Sequence, residues 1–92
     1  MNIGKLEMAL KSIGKRSFVD DYEIYNNKQL SKTKKIEMLS EIYTSNGATI
    51  RVSFAEDTFE HGKQKEALLL IMDSPRLSAE VKEKAKNLLR LE

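Results

Sequence analysis

Apolar residues recur at spacings of three and four positions along most of this chain, and this periodicity predicts helices. The amino-terminal segment shows it in four residues: Ile3, Leu6, Leu10 and Ile13. Residues spaced in this way lie on one face of an α-helix, with polar residues on the other face. Gly14 follows the last of the four and suits the left-handed position that ends many helices.

Serine residues mark the starts of the second and third predicted helices. Ser17 precedes an aromatic stripe, and Asp20, three residues later, gives a capping-box-like arrangement. Ser31 precedes an apolar stripe that continues to about Tyr43. The next four residues, Thr-Ser-Asn-Gly at 44–47, are typical of a stop followed by a turn, because asparagine and glycine tolerate turn conformations.

The segment 48–62 fits two interpretations. Over residues 48–54, apolar residues alternate with polar ones, which is the period of a strand. A helix capped by Thr49 would instead place apolar residues on one face and end at Gly62. A lone strand leaves its backbone groups unpaired and no second strand is apparent in the sequence, so we favour the helix. A strand over residues 48–54 would make the fold class α+β.

The carboxyl-terminal third predicts two further helices. Residues 67–72 are apolar on all sides and rich in leucine, which favours a buried helix over about 63–73. A Ser-Pro pair ends this helix, and Ser78 suits the cap of a last one. The expected fold is therefore mainly α: one small domain over residues 1–92, built as a bundle of five to six short helices.

The composition is that of a globular protein with a charged surface. The chain has 92 residues, a net charge of +2 and no cysteine. The absence of cysteine excludes disulfides, thiolate catalysis and cysteine zinc sites, and it fits a reducing compartment, so we expect a cytoplasmic protein. The longest apolar run, residues 67–72, is far too short to span a membrane. Leu91 and Glu92 match a common cloning remnant and are assigned no function.

The sequence lacks the motifs of an enzyme or of a cofactor site. It has one histidine, His61, and neither a glycine-rich phosphate loop nor a metalloprotease motif. Asp57 and His61 lie four positions apart, as do Glu56 and Glu60, so each pair would share a helix face. Two ligands make a weak metal site, and a solvated acidic face explains both pairs. We therefore expect no catalytic activity, no bound metal and no cofactor.

Cations near predicted helix ends indicate contacts to a polyanion. Three lysines fall in the first turn of the third predicted helix, where free backbone N–H groups and ammonium groups together suit a phosphate. With three cations further along the chain they form the candidate nucleic-acid contacts: Lys32, Lys34, Lys35, Arg51, Lys63 and Lys65. A solvated lysine face is the alternative interpretation.

A helix-turn-helix interpretation around Gly47 is disfavoured by two features. The position four residues before this turn glycine holds the bulky Tyr43, where the two helices of that motif cross. The following helix carries Glu56, Asp57 and Glu60, which phosphates repel. The same three carboxylates offer an acidic face to a basic protein partner.

These features predict a non-enzymatic binding or regulatory protein. Nucleic acid, or the machinery that acts on it, is the first expected partner. The alternative is a protein-binding adaptor or inhibitor, of the kind that mobile elements and phages encode, which acts through the acidic face. The leucine-rich segment also allows a homodimer, because dimerisation extends a small core.

Overall fold

Seven α-helices and no strand make up the fold. The computed structural model describes residues 1–92. The helices in chain order are α1 (Ile3–Ile13), α2 (Lys15–Asp20), α3 (Tyr22–Tyr25), α4 (Lys32–Leu39), α5 (Ser45–Glu60), α6 (Gln64–Met72) and α7 (Ala79–Leu91). The mainly-α class is therefore confirmed. The count exceeds five to six because the predicted second helix is divided in two at Asp21.

Four helices begin with a side chain that accepts a hydrogen bond from a backbone N–H of the first turn. The capping residues are Asn2 for α1, Ser31 for α4, Thr44 for α5 and Ser78 for α7. Each cap satisfies one of the N–H groups that a helix start leaves without an intrahelical partner. The starts predicted at Ser31 and Ser78 are confirmed.

The predicted start at Ser17 is wrong, and the reason lies in Gly14. The helix α2 already begins at Lys15, because Gly14 adopts a φ of 89° and redirects the chain from α1 directly into α2. Residues with a side chain rarely adopt this backbone conformation, so glycine suits the junction. Ser17 lies inside α2, where it is buried and bonds to other side chains.

The predicted turn at residues 44–47 is the start of α5. The Thr44 hydroxyl accepts a hydrogen bond from the Gly47 N–H at 3.0 Å, and the helix continues through Gly47. The preceding helix ends at Leu39, and residues 40–43 form the turn that was expected further along. Threonine, serine and asparagine favour both turns and helix starts, so the local pattern does not separate the two.

Residues 48–54 are helical, as the favoured interpretation predicts. Ala48, Val52 and Ala55 have no solvent exposure. Their spacings of four and three positions place them on the face of α5 that meets the core. The predicted cap at Thr49 is wrong, because α5 begins one turn earlier.

One cluster of 16 buried hydrophobic residues receives side chains from all seven helices. Its aromatic part is centred on Phe18, whose ring centroid lies 5.5 Å from that of Tyr22 and 6.4 Å from that of Tyr25. The partly buried Phe59 packs against this cluster, with its ring centroid 5.8 Å from that of Phe18. Aromatic rings attract each other at such separations. The aromatic stripe of α2 and α3 therefore belongs to the core and offers no surface on which bases can stack.

The helices do not pack equally closely. The most extensive contacts are those of α6 with α7, α1 with α5 and α4 with α5. Helix α1 also meets α6, but less closely. A groove opens beside this contact, between α1 and the turn that joins α6 to α7.

Candidate docking groove

Lys35, one of the predicted nucleic-acid contacts, is buried inside the protein. Its residue exposure is 4%. Its Nζ donates to the Tyr25 carbonyl oxygen at 2.9 Å and to Glu56 Oε1 at 2.7 Å. The ammonium group thus ties α4 to the end of α3 and to α5. A cation held in this way has no access to a phosphate.

The other two lysines at the start of α4 are exposed but lie close to carboxylates. Lys34 Nζ is 3.7 Å from Glu37 Oε1. Lys32 shares the wall of a shallow surface cavity with Glu56, Asp57 and Glu60 of α5. Neighbouring carboxylates reduce the positive potential that a polyanion would meet at this end of the molecule.

The remaining predicted cations differ in their environments. The Arg51 guanidinium stacks on the Tyr43 ring, 4.1 Å from the ring centroid, and donates to the Gly47 carbonyl oxygen at 3.3 Å. Lys63 is half-buried at the start of α6, and Lys65 is exposed in its first turn. No carboxylate lies within 4.0 Å of the charged group of any of these three residues.

The predicted acidic face of α5 is partly engaged within the molecule. Glu56 accepts the hydrogen bond from Lys35, and Asp57 Oδ1 lies 3.2 Å from His61 Nδ1. Of the three carboxylates only Glu60 has no basic nitrogen within 4.0 Å. The chain places no group of three or more histidine or acidic side chains close enough together to hold a metal ion.

A network of hydroxyl groups that the sequence pattern does not indicate joins α2, α3 and the turn before α5. The Ser17 hydroxyl donates to Asp21 Oδ2 at 3.1 Å and lies 2.7 Å from the Tyr25 hydroxyl. The Tyr43 hydroxyl donates to the same Asp21 oxygen at 2.9 Å. Burial raises the pKa of Tyr25 to about 12 and also raises the pKa of Tyr43. Both phenols therefore stay protonated and act as structural hydrogen-bonding groups.

The groove beside α1 has a volume of about 950 Å³, against about 410 Å³ for the cavity that contains Lys32. The buried Leu10 and the half-buried Leu70 and Leu77 provide its apolar lining. Met8 stands at its edge with 66% of its surface exposed. Gly4 forms part of the wall and leaves it open, because it has no side chain. Met8 lies off the apolar stripe of α1, so periodicity gave no reason to select it.

One cation of the groove is held in place by a buried hydroxyl group. Lys15 Nζ donates to Ser74 Oγ at 2.6 Å, and Ser74 Oγ in turn donates to the Leu70 carbonyl oxygen at 2.9 Å. Ser74 is buried and Lys15 is half-buried. No carboxylate lies within 4.0 Å of the Lys15 ammonium group. Its remaining donors are therefore free for a ligand.

The other charged residues of the groove lie at its rim. Lys11, Glu7 and Asp73 are exposed and form no ion pair. Arg16 is engaged by Asp20, at 3.4 Å. The groove therefore combines an apolar lining with one preorganised cation and a solvated rim of both signs.

Comparison with known proteins does not indicate a role for this groove. None of the helices is both long enough and apolar enough to cross a membrane. No protein-family model matches the chain, and no curated protein or solved structure is significantly similar to it.

Proposed function

We propose that this protein is a non-enzymatic binding protein that acts as an adaptor or inhibitor, and that its groove receives part of a partner protein. The observation that carries this proposal is the open apolar lining between α1 and the α6–α7 turn. Exposed apolar side chains gathered in a concave surface are typical of protein–protein interfaces. The burial of Met8, Leu70 and Leu77 by a partner would supply hydrophobic free energy.

The groove replaces the acidic face of α5 as the proposed surface for a protein partner. Glu56 and Asp57 already have basic neighbours within the chain. A partner that bound them would have to compete with these contacts or add to them. The groove has no such competitor, since Lys15 forms no ion pair and Met8 is 66% exposed.

Two substitutions that obstruct the groove test this function. A Cβ atom at Gly4 would meet only Asn2 Oδ1, at 3.5 Å, so a side chain can start there without a backbone clash, and Gly4→Leu adds bulk to the wall. Met8→Glu places a charge on the apolar edge. We expect a protein partner that is recovered with the unmodified protein by affinity purification to be lost with both variants.

The matched control is Ile42→Glu. Ile42 is as exposed as Met8, at 63%, and lies outside the groove. Circular dichroism establishes that each variant is folded. Equal recovery of the partner with all four proteins would contradict the proposal.

A second candidate function, nucleic-acid contact, is supported by a different surface from the start of α4. Lys82, Lys86 and Arg90 follow one another at intervals of four residues along α7, so they lie on one side of that helix. None of them forms an ion pair. A row of free cations attracts phosphates without reading base sequence.

Titration with a random duplex and a random single strand at two salt concentrations tests this second function. We expect binding to weaken as the salt concentration rises and to weaken further when Lys82, Lys86 and Arg90 are all replaced by glutamine. The matched control replaces Lys32, Lys34 and Lys65 by glutamine, which removes the same charge elsewhere. Binding that is insensitive to salt, or equal in both triple variants, would exclude α7 as the contact surface.

A further inference from the structure

The shape of the groove restricts the kind of segment that can enter it. The chain has no strand, so it offers no sheet edge to which an extended segment could add. The groove has no aromatic lining residue, whereas grooves that bind proline-rich segments are lined by aromatic rings. A groove between helical elements with an aliphatic lining is suited to an amphipathic helix, which packs against it as another helix of the bundle would.

The charges of the groove indicate which polar residues such a helix would carry. Glu7 and Asp73 are exposed at the rim, and solvated charges of this kind contribute little to binding. Lys15 differs from them, because the Ser74 hydroxyl fixes its Nζ and the surrounding chain half-buries it. A cation that is already positioned and partly desolvated loses little freedom when it binds an anion, and its charge-assisted hydrogen bond is a strong one.

We propose that the groove binds an amphipathic helix of the partner protein, and that a carboxylate of this helix pairs with Lys15 beside Ser74. This inference rests on the proposed function. The apolar side of the helix covers Met8, Leu70 and Leu77, and its acidic residue reaches the end of the groove where α2 begins.

The test uses a pair of synthetic peptides as probes, each of about 15 residues, which gives roughly four helical turns. Both peptides carry leucines at spacings of three and four positions. One has glutamates beside the leucines, and in its counterpart every glutamate is replaced by lysine. Backbone amide NMR spectra of the full chain report which residues each peptide contacts and how tightly it binds.

We expect the acidic peptide to shift the amide signals around Met8, Lys15 and Ser74 and to bind more tightly than the basic peptide. Lys15→Gln should weaken binding of the acidic peptide by about two- to fivefold, the upper part of the range for an ion pair that is not fully buried. It should not weaken binding of the basic peptide, because the loss of Lys15 removes a cation that repels the lysines of that peptide. The control Lys86→Gln removes the same charge from α7 and should change neither affinity.

Several results would overturn the inference. Equal affinity of the two peptides, no binding of either, or an equal effect of Lys15→Gln and Lys86→Gln would each exclude an acidic helix paired with Lys15. A dimer of this chain that Met8→Glu abolishes would assign the groove to a second copy. A random single-stranded oligonucleotide that shifts the same signals and depends on Lys15 would make it a polyanion site.

The failure of this inference and the failure of the proposed function are distinguishable. If the peptides fail but Gly4→Leu still abolishes recovery of a protein partner, the groove binds protein by another chemistry. If Gly4→Leu has no effect on the partner, the proposed function itself is contradicted.

Discussion

At the scale of single residues, the pair formed by Lys35 and Glu56 shows how a charge can serve the interior of a small protein. The Lys35 side chain is 5% exposed and that of Glu56 is 33% exposed, with 2.7 Å between the charged atoms. Glu56 supplies the counter-charge for the buried ammonium group of Lys35. Loss of the carboxylate leaves a buried ammonium group without its counter-charge, whereas loss of the ammonium group leaves a carboxylate that water can reach.

We therefore predict that the two members of the pair differ in how much their substitution destabilises the protein. Glu56→Gln leaves Lys35 charged and buried and should lower the free energy of unfolding by about 1–3 kcal/mol. Lys35→Met removes the buried charge and should cost less. Urea denaturation of the two variants measures both values. A larger loss for Lys35→Met than for Glu56→Gln would contradict this account of the pair.

The burial of Lys35 could not be predicted from the sequence. Lysine suits an exposed helix, and its carboxylate partner lies 21 positions away in the chain. The stripe of α4 contains Leu39, one turn after Lys35, which indicates that the two residues share a face. Which face meets α5 depends on the packing of the helices, and local periodicity does not specify it.

At the scale of the helices, two glycines of the first helical region should respond oppositely to the same substitution. Gly4 lies within α1, and a Cβ there has room. Gly4→Ala should therefore stabilise the protein, by at most the roughly 0.5–1 kcal/mol found in helix interiors since Gly4 lies in the first turn, because glycine is the poorer helix former. Gly14 has a φ of 89°, so Gly14→Ala should destabilise it by about 1–2 kcal/mol.

Thermal unfolding followed by circular dichroism measures both changes. We predict the highest midpoint temperature for Gly4→Ala, a lower one for the unmodified protein and the lowest for Gly14→Ala. A midpoint for Gly14→Ala at or above that of the unmodified protein would show that the junction between α1 and α2 does not depend on glycine.

The periodicity of apolar residues predicts most of the helices. It predicts their boundaries only where the residues at the helix end favour a cap or a turn, but not both. Ser31 and Ser78 precede apolar stripes and are caps, as expected. The four residues at 44–47 are of types that favour both turns and helix caps. In the structure Thr44 is a cap, because its hydroxyl accepts a hydrogen bond from the Gly47 N–H. The break at Asp21 escaped prediction because the aromatic stripe continues across it.

At the scale of the whole molecule, the three tyrosines should make the free energy of unfolding decrease at alkaline pH. Burial raises the pKa of Tyr22, Tyr25 and Tyr43 above the model-peptide value of 10.0 and that of Tyr25 to about 12. Above pH 10 the unfolded chain therefore releases protons that the folded chain retains. The free energy of unfolding is unaffected by these groups below that pH and should fall as the pH rises from 10 towards 12.

Ultraviolet absorbance of tyrosinate and urea denaturation, both followed over this pH range, test the prediction. Because the chain contains three tyrosines and all three have raised pKa values, the folded protein should show less tyrosinate at pH 10 than the urea-unfolded chain does. Substantial ionisation there, with the native circular dichroism spectrum retained, would contradict the burial of these phenols.

The groove is a property of the whole molecule and could not be predicted from any segment. Its lining comes from α1, the start of α2 and the chain from Leu70 to Leu77, and these parts are far apart in the sequence. Met8 lies outside the apolar stripe of α1. The sequence around Lys15 does not distinguish it from the other lysines, because its partner Ser74 lies 59 positions away in the chain. The predicted charged sites, in contrast, rest on local spacing alone. Local spacing does not show that two of these residues, Lys35 and Glu56, pair with each other.

The central claim is that a protein partner binds in this groove, and calorimetric titration of the recovered partner tests it most directly. We predict that the unmodified protein and Ile42→Glu bind the partner with equal affinity, and that Gly4→Leu, although folded, binds it at least about tenfold more weakly. Equal affinities for all three proteins would contradict the claim and place the binding surface elsewhere.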